Sequence, residues 1–368
     1  MGTVPVTASV RQRAAETVKL QARQFSEFLL STRAFGKSYK FPTMCNEPLP
    51  HTMTNIRPIL HSPLARALYD RLLRDQDLER LDKSQWYSIN TELLRDEVLR
   101  SQFVQCELDA DTQTFLDVST EKSNWLGTQI MHALARLFFG WFVTRTTLNG
   151  FLGRGSMFVF STRQFLRLLR LDAESTAAPL FSSLLDVGAG DGNVTAAIAP
   201  LFCQVDVTEK SPAMRRTLSR RGFRVLDAAT LRPAGLDDDG EPQLYDVVCC
   251  LNVLDRCDTP LALLRMLKAR LTSPAGRLVL AVVLPLSQYV EAGKRGTKPL
   301  EVLRVRGSTL EQQVESLYRD VMAPAGFILE SWTRLPYLCE GDLEQAYYWL
   351  DDIVMVLRAA DAHGDDPS

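Results

Sequence analysis

The sequence lacks the patterns that identify membrane-spanning, metal-binding and nucleic-acid-binding proteins. It contains no run of about 18 uninterrupted apolar residues, so no membrane-spanning helix is predicted. Its seven cysteines include no CxxC pair and its four histidines lack metal-motif spacing, so no metal site is predicted. With 42 basic and 44 acidic residues the net charge is −2, which supplies no positive field for nucleic acid.

Sorting signals are also missing from the first residues, MGTVPVTASVRQR. They contain no apolar segment of a secretory signal, and Val6 stands where a myristoylation signal requires serine or threonine. The cysteines are therefore expected to be reduced thiols, with Cys249 and Cys250 inside an apolar run. An intracellular, cytoplasmic location is the default expectation.

The pattern along the chain predicts four regions. Residues 1–115 are predicted to form a helical extension, because stretches such as LARALYDRLLRDQDLERL place apolar residues at helical spacing. Residues 116–180 contain the apolar helix WLGTQIMHALARLFFGWFV and are predicted to form a helical cap. Residues 181–358 are predicted to form a Rossmann-like core, and residues 359–368 a disordered tail.

The predicted core alternates short β-branched runs with helical stretches. Such alternation is typical of an α/β fold in which helices cover both faces of a mostly parallel sheet. Seven strands are predicted, in the stretches SLLDVG, CQVDVTE, FRVLDA, YDVVCCLNVL, GRLVLAVVLP, FILESWTRLPYL and YYWLDDIVMVLR.

A glycine-rich turn follows the first of these strands, in the stretch LLDVGAGDG. Gly188, Gly190 and Gly192 allow positive φ angles and a close approach of the backbone to a ligand. The dinucleotide fingerprint GxGxxG would place glycine at position 193, where the chain has asparagine. Asp186, just before the turn, would repel a pyrophosphate but suits a cofactor that carries an ammonium group. The turn therefore favours S-adenosylmethionine over a nicotinamide dinucleotide.

Polar side chains at two further strand ends complete the candidate site. Glu209 ends the second strand, where a carboxylate can accept hydrogen bonds from both ribose hydroxyls of a nucleoside. Asn252 and Asp255 follow the fourth strand, at the edge where open α/β sheets bind their ligands. Asp258 is expected to cap the next helix, which leaves Asp255 free for the cleft.

Several stretches together resemble the DREV family of methyltransferase-like proteins over roughly residues 114–357. They are EKSNWL, FVTRTTLNGFLGRGSMFVFS, LLDVGAGDG, LNVLDRCD, RLVLAVVLP, TRLPYLCEGD and YYWLDDIVMVL. The resemblance implies a class I, S-adenosylmethionine-dependent methyltransferase domain over residues 116–358. It further implies methyl transfer to the pros nitrogen of histidine, in protein substrates with His-x-His motifs and a small x.

The resemblance also implies roles for individual residues. Glu209, Asn252 and Tyr337 would contact the cofactor, together with the glycine-rich turn and Asp186. Asp255 and Tyr348 would be the catalytic residues facing the substrate imidazole.

An extended peptide would lie along the segment from Asn149 to Ser156, which includes Arg154 and Gly155, and along residues 337–342. The N-terminal apolar segment of animal family members is not found, so endomembrane or mitochondrial association stays open. The alternatives are a small-molecule methyltransferase, which the same fold can support, and a non-catalytic adaptor that only binds the cofactor.

Overall fold

The computed structural model describes residues 63–124, 156–171, 179–231, 242–290, 298–342 and 345–360. The chain divides into two compact units, Met1–Leu60 and His61–Ser368, and every described residue lies in the second. The predicted apolar helix of residues 125–143 lies outside the described residues, as does most of the predicted tail.

Among the described residues, three helices precede the sheet. They are α1 (Pro63–Arg80), α2 (Glu97–Gln102) and α3 (Ala110–Asn124), and two 3-10 turns, Lys83–Trp86 and Thr91–Leu93, lie between α1 and α2. Helix α2 begins after Asp96, whose carboxylate accepts hydrogen bonds from the backbone N–H groups of Val98 and Leu99. Among the residues that the structure describes, no helix is long and apolar enough to cross a membrane.

The remaining elements build one sheet and its covering helices. The strands are β1 (Met157–Phe158), β2 (Phe181–Val187), β3 (Phe202–Thr208), β4 (Arg224–Leu226), β5 (Val247–Leu251), β6 (Arg277–Val283), β7 (Phe327–Glu340) and β8 (Tyr347–Ala359). The helices are α4 (Thr162–Leu168), α5 (Asn193–Ile198), α6 (Pro212–Arg220), α7 (Pro260–Lys268) and α8 (Leu310–Ser316), which continues as a π-helix over Leu317–Met322.

The strand order across the sheet is β1-β7-β8-β6-β5-β2-β3-β4. Strands β2 to β6 pair in parallel, whereas β8 is antiparallel to both β6 and β7. All seven predicted strands are present, and the two-residue strand β1 adds an eighth by pairing with β7. The predicted Rossmann-like α/β fold is confirmed.

The strand order locates the ligand-binding edge. The chain runs outward from β2 through β3 to β4 and then returns to β5 on the other side of β2. In open α/β sheets, ligands bind outside the carboxyl ends of the strands at the point where the order reverses. A ligand is therefore expected to bind at the turns after β2 and β5.

Alternate residues of the central strands supply the two hydrophobic clusters that flank the sheet. Leu185 and Val248 belong to one cluster, and their neighbours Leu184 and Val247 belong to the other. A parallel strand covered on both faces reads as a continuous apolar run, which explains the composition of these strands. The buried sheet thus holds the turns at its carboxyl edge on a rigid base.

Candidate functional site

The glycine-rich turn joins β2 to α5, as predicted from its sequence. Gly188, Gly190 and Gly192 have φ angles of 80°, 59° and 80°, which favour glycine. A Cβ atom added to Gly188 or Gly192 would approach protein side chains to 2.4 or 2.7 Å, whereas one added to Gly190 would meet nothing within 4 Å. Of the three glycines in this turn, Gly190 alone therefore borders open space of the kind that a bound cofactor needs.

Backbone hydrogen bonds hold this turn against the end of β3. The N–H groups of Gly188 and Ala189 each donate to the carbonyl oxygen of Thr208 at 3.0 Å. The N–H of Gly190 donates to Glu209 Oε2 at 3.1 Å, and the N–H of Ser211 donates to Glu209 Oε1 at 2.8 Å. Each carboxylate oxygen of Glu209 keeps a further lone pair. Glu209 is therefore able to accept ribose hydroxyls while it holds the turn.

Asp186 lies inside the protein. Its side chain is only 3% exposed, and its Oδ2 accepts a hydrogen bond from Thr195 Oγ1 at 2.6 Å. The pKa of Asp186 is raised to about 6, mainly by burial; the charge of Glu209 contributes to the rise, and the hydrogen bond from Thr195 partly offsets it. Asp186 thus links β2 to α5 beneath the turn, and its predicted contact with the cofactor stays a prediction.

Asn252 and Asp255 lie in the turn after β5. Asn252 has a φ angle of 57°, and its Nδ2 donates to Asp352 Oδ2 at 2.8 Å. Asp255 is 2% exposed, and its Oδ2 lies 3.0 Å from Arg256 Nε. Burial raises the pKa of Asp255, an effect that Arg256 partly offsets. Asn252 Oδ1 and Asp255 Oδ1 are buried without a hydrogen-bond partner.

The sequence analysis missed Asp352, which completes this group. Asp352 lies on β8, between Val283 of β6 and Leu335 of β7, and is fully buried. The pKa of Asp352 is raised to about 8, mainly by burial; the charge of Asp255 contributes to the rise, and the hydrogen bond from Asn252 partly offsets it. The signal was an Asp-Asp doublet within the apolar run YYWLDDIVMVL, where a charged residue is rare unless it is paired or functional.

The two predicted tyrosines have different hydrogen-bond partners. Burial raises the pKa of Tyr337, and the charges of Cys339 and Asp352 raise it further. The hydroxyl of Tyr337 donates to Met157 Sδ on β1. The hydroxyl of Tyr348 donates to Asp342 Oδ1 at 2.9 Å. Asp352 is four positions beyond Tyr348, which corresponds to about 13 Å along a strand. The structure thus pairs Tyr337 with Met157 and Tyr348 with Asp342, and the predicted roles of both tyrosines stay predictions.

Of the predicted peptide-binding residues in the segment 149–156, only Ser156 is described, whereas residues 337–342 are all described. Asn149, Arg154 and Gly155 lie outside the described residues. Ser156 Oγ accepts a hydrogen bond from Asn193 Nδ2 at 2.6 Å, which connects it to the first residue of α5. A cavity of about 330 Å³ opens here and is lined by residues that include Ser156, Met157, Asn193 and Glu340. Ser156 thus borders a groove next to the glycine-rich turn.

Comparison with known proteins gives one family and several more distant relatives. The profile of the DREV methyltransferase family matches residues 86–359. A ubiquinone biosynthesis O-methyltransferase of Xanthomonas oryzae pv. oryzae (strain PXO99A) is 27% identical over 186 residues, which cover 50% of this chain and 74% of the relative.

Solved structures share less sequence with the chain. The N-methyltransferase NodS from Bradyrhizobium japonicum WM9, in complex with S-adenosyl-L-homocysteine, is 18% identical with a TM-score of 0.33, over 54% of this chain and 87% of NodS. The CurJ carbon methyltransferase is 17% identical with a TM-score of 0.39, over 82% of this chain and 81% of CurJ.

Proposed function

This chain belongs to the DREV methyltransferase family, and on that premise we propose that it methylates the pros nitrogen of histidine in proteins. The methyl donor is S-adenosylmethionine, and the substrates carry His-x-His motifs. The observation that supports this substrate most directly is the buried Oδ1 of Asp255, which has no hydrogen-bond partner. It lies in the turn after the central strand β5, and Val253 of that turn packs against Gly188 of the glycine-rich turn.

A histidine substrate requires orientation more than activation. Imidazole has a pKa of about 6.5 and is mostly neutral at pH 7, whereas a lysine would first lose a proton at about 10.4. A neutral imidazole carries one N–H and one lone pair, and the nitrogen that donates to a carboxylate keeps the proton. Asp255 Oδ1 accepting from the tele N–H would leave the lone pair of the pros nitrogen free to attack.

The reaction then needs no base before methyl transfer. The cofactor supplies an electrophilic methyl group on a sulfonium. The pros nitrogen forms the new N–C bond with its lone pair, and the electron pair of the broken C–S bond stays on sulfur. The product is a methylimidazolium, whose positive charge the Asp255 carboxylate stabilises until the tele proton leaves. Holding nucleophile and methyl group in line is an effect worth several kcal/mol.

The described residues fit the cofactor. The space beside Gly190 leaves room for the nucleoside, and Glu209 next to it has lone pairs for the ribose hydroxyls. Asn252 lies after β5, where its unpaired Oδ1 can accept from an N–H group. Tyr337 would close the same edge of the site from β7.

An assay with synthetic peptides tests this proposal. A His-Ala-His peptide is incubated with enzyme and cofactor, and amino-acid analysis then separates the two methylhistidines. We expect the pros isomer alone, and little turnover when a bulky residue replaces alanine. A mostly tele product would exclude the orienting role of Asp255, and equal turnover of bulky and small spacers would exclude steric reading of the spacer.

Methylation of a small molecule is the second candidate. The 27% identity to a relative named as a ubiquinone biosynthesis O-methyltransferase favours it. A phenolic hydroxyl has a pKa of about 10 and would use Asp255 as a base, since an oxygen nucleophile must lose its proton. Turnover of a catechol with none of the histidine peptides would establish this reading. Binding of the cofactor without turnover of either substrate would favour the third alternative, a non-catalytic adaptor.

A further inference from the structure

Three residues at the carboxyl edge of the sheet each have a buried oxygen atom without a hydrogen-bond partner. The atoms are Asn252 Oδ1, Asp255 Oδ1 and Asp352 Oδ1. Asn252 and Asp352 are joined by a 2.8 Å hydrogen bond, and the charge of Asp255 acts on Asp352. A buried polar atom without a partner destabilises the fold, so a group of three indicates a place kept for a ligand.

Asp352 determines which end of the Asn252 amide faces this place. A side-chain amide has a donor end and an acceptor end, and its two orientations are otherwise equivalent in shape. Asp352 Oδ2 accepts from the Asn252 Nδ2, so the carbonyl oxygen of Asn252 is turned the other way. The φ angle of 57° at Asn252 and the hydrogen bond from its N–H to the carbonyl of Ala281 at 3.0 Å fix the backbone from which the amide projects.

We propose that Asp352 is a positioning residue: it holds the carbonyl oxygen of Asn252 toward the ligand and thereby completes a pocket of acceptors for an N–H-bearing group. Two sources offer that chemistry, namely the amino group of the cofactor and the ring N–H of the substrate imidazole. The second source rests on the proposed function, and the first rests only on membership of the methyltransferase family.

Two substitutions separate the hydrogen bond from the mere presence of the side chain. Asp352→Asn keeps a carbonyl oxygen that can accept from Asn252 but adds an NH2 donor, so the amide is held in its orientation only in part. Asp352→Leu has similar size and no acceptor, so both orientations of the amide become available. Asp351→Leu is the matched control, since Asp351 precedes Asp352 on β8 but pairs with Arg334, 2.6 Å away, instead of Asn252.

The first arm measures ligand binding by calorimetry, with no peptide present. S-adenosylhomocysteine carries the amino group, whereas 5′-methylthioadenosine lacks it. If the amino group is the source, Asp352→Leu weakens binding of S-adenosylhomocysteine by tenfold or more and binding of methylthioadenosine by less than twofold. Asp352→Asn then shows a smaller loss than Asp352→Leu, because one of its two pairings with Asn252 keeps the carbonyl oxygen toward the ligand. In an Asn252→Ala background, Asp352→Leu then has less than a twofold effect, because there is no amide to orient.

The second arm measures binding and turnover of the histidine peptide by enzyme saturated with cofactor. If the imidazole is the source, Asp352→Leu lowers kcat/KM by tenfold or more while both nucleoside affinities stay unchanged. Three outcomes would overturn the positioning role. Asp352→Leu could lower the affinity for both nucleosides equally, its effect could persist in the Asn252→Ala background, or neither arm could respond. A response in the first arm with no methylation by the unaltered enzyme would reject histidine as substrate and leave the positioning role standing.

Discussion

Gly188 and Val253 are in such close contact that position 188 has no room for a side chain. A Cβ atom on Gly188 would lie 2.4 Å from Val253 Cγ2, whereas carbon atoms at rest are about 3.5–4.0 Å apart. This contact joins the turn after β2, predicted to bind the cofactor, to the turn after β5, which carries Asn252 for the cofactor and Asp255 for the substrate. The spacing between the two halves of the site therefore depends on it.

Gly188→Ala is expected to push the two turns apart and to lower both cofactor affinity and turnover by at least tenfold. Adding Val253→Ala removes the obstructing methyl groups and should restore part of the loss. Recovery stays incomplete because alanine at a φ angle of 80° still costs about 1–2 kcal/mol. Calorimetry with S-adenosylhomocysteine on the single and double variants measures this, and an absence of any recovery would show that the contact is not the cause.

Gly190→Leu is expected to abolish cofactor binding, because the side chain would fill the open space beside the turn. Gly222→Leu is the matched control: Gly222 also has a positive φ angle, 88°, and nothing within 4 Å of an added Cβ. Both variants carry similar backbone strain, and only the first meets the proposed cofactor. Equal affinities of the two variants for S-adenosylhomocysteine would contradict the prediction that the cofactor binds beside Gly190.

Asp255→Asn is expected to lower turnover by a factor on the order of 10²–10⁴, the range found when a positioned carboxylate is lost from a comparable role. Its amide can offer a donor to the ring and so no longer selects the tautomer. Cofactor affinity should change less than threefold, since other residues bind the cofactor. Steady-state kinetics and calorimetry on the same preparation provide the comparison, and near-normal turnover would contradict the role of Asp255.

Asp352 is expected to make the protein less stable as the pH rises. Its pKa is about 8 in the folded chain, well above the ordinary value of about 3.9 in an unfolded chain. Its contribution to stability is therefore present below pH 4 and is lost as the pH rises through about 8. Asp352→Asn removes this dependence, and the variant should gain stability over the parent between pH 5 and pH 8, by a few kcal/mol at most. Urea unfolding at several pH values, with Asp351→Asn as control, tests this, and a constant difference would contradict it.

Trp332→Phe should loosen the attachment of α2 to the sheet. Trp332 is fully buried, and its Nε1 donates to the carbonyl oxygen of Leu99 at 2.7 Å. Losing the donor leaves a buried carbonyl unpaired, which costs about 1–3 kcal/mol. Trp86→Phe is the matched control, because Trp86 is also buried but its Nε1 has no hydrogen-bond partner. Urea unfolding should show the larger loss for Trp332→Phe.

The sequence was sufficient for features that depend on neighbouring residues. The strand ending in Val187, the glycine-rich turn and the acid at Glu209 are all encoded within short stretches, and their positions agree with the prediction. The predicted Rossmann-like fold, the family resemblance and the cofactor expected from it are likewise confirmed. In each case the pattern of apolar, polar and glycine residues is local, so a single sequence reveals it.

Features that join distant parts of the chain were not predictable in this way. Asp352 lies 100 residues from Asn252, and only the insertion of β8 beside β6 brings the two side chains together. Burial of Asp186 also escaped prediction, because its partner Thr195 lies across the turn on α5. Strand patterns do not specify which strands become neighbours, and that choice decides these contacts.

The position of β8 has a consequence for how the protein is made. Strands β6 and β7 are not neighbours, because β8 is inserted between them and pairs with both. A nascent chain that has reached Glu340 therefore exposes an unpaired edge on β6 and has no partner for most of β7. Unpaired strand edges can pair with other chains. The chain is therefore most prone to aggregation after Glu340 has been synthesised and before β8 has paired. The strand that carries Asp352 also fills the gap between β6 and β7, so pairing of β8 covers the edge of β6 and brings Asp352 to Asn252 in the same step.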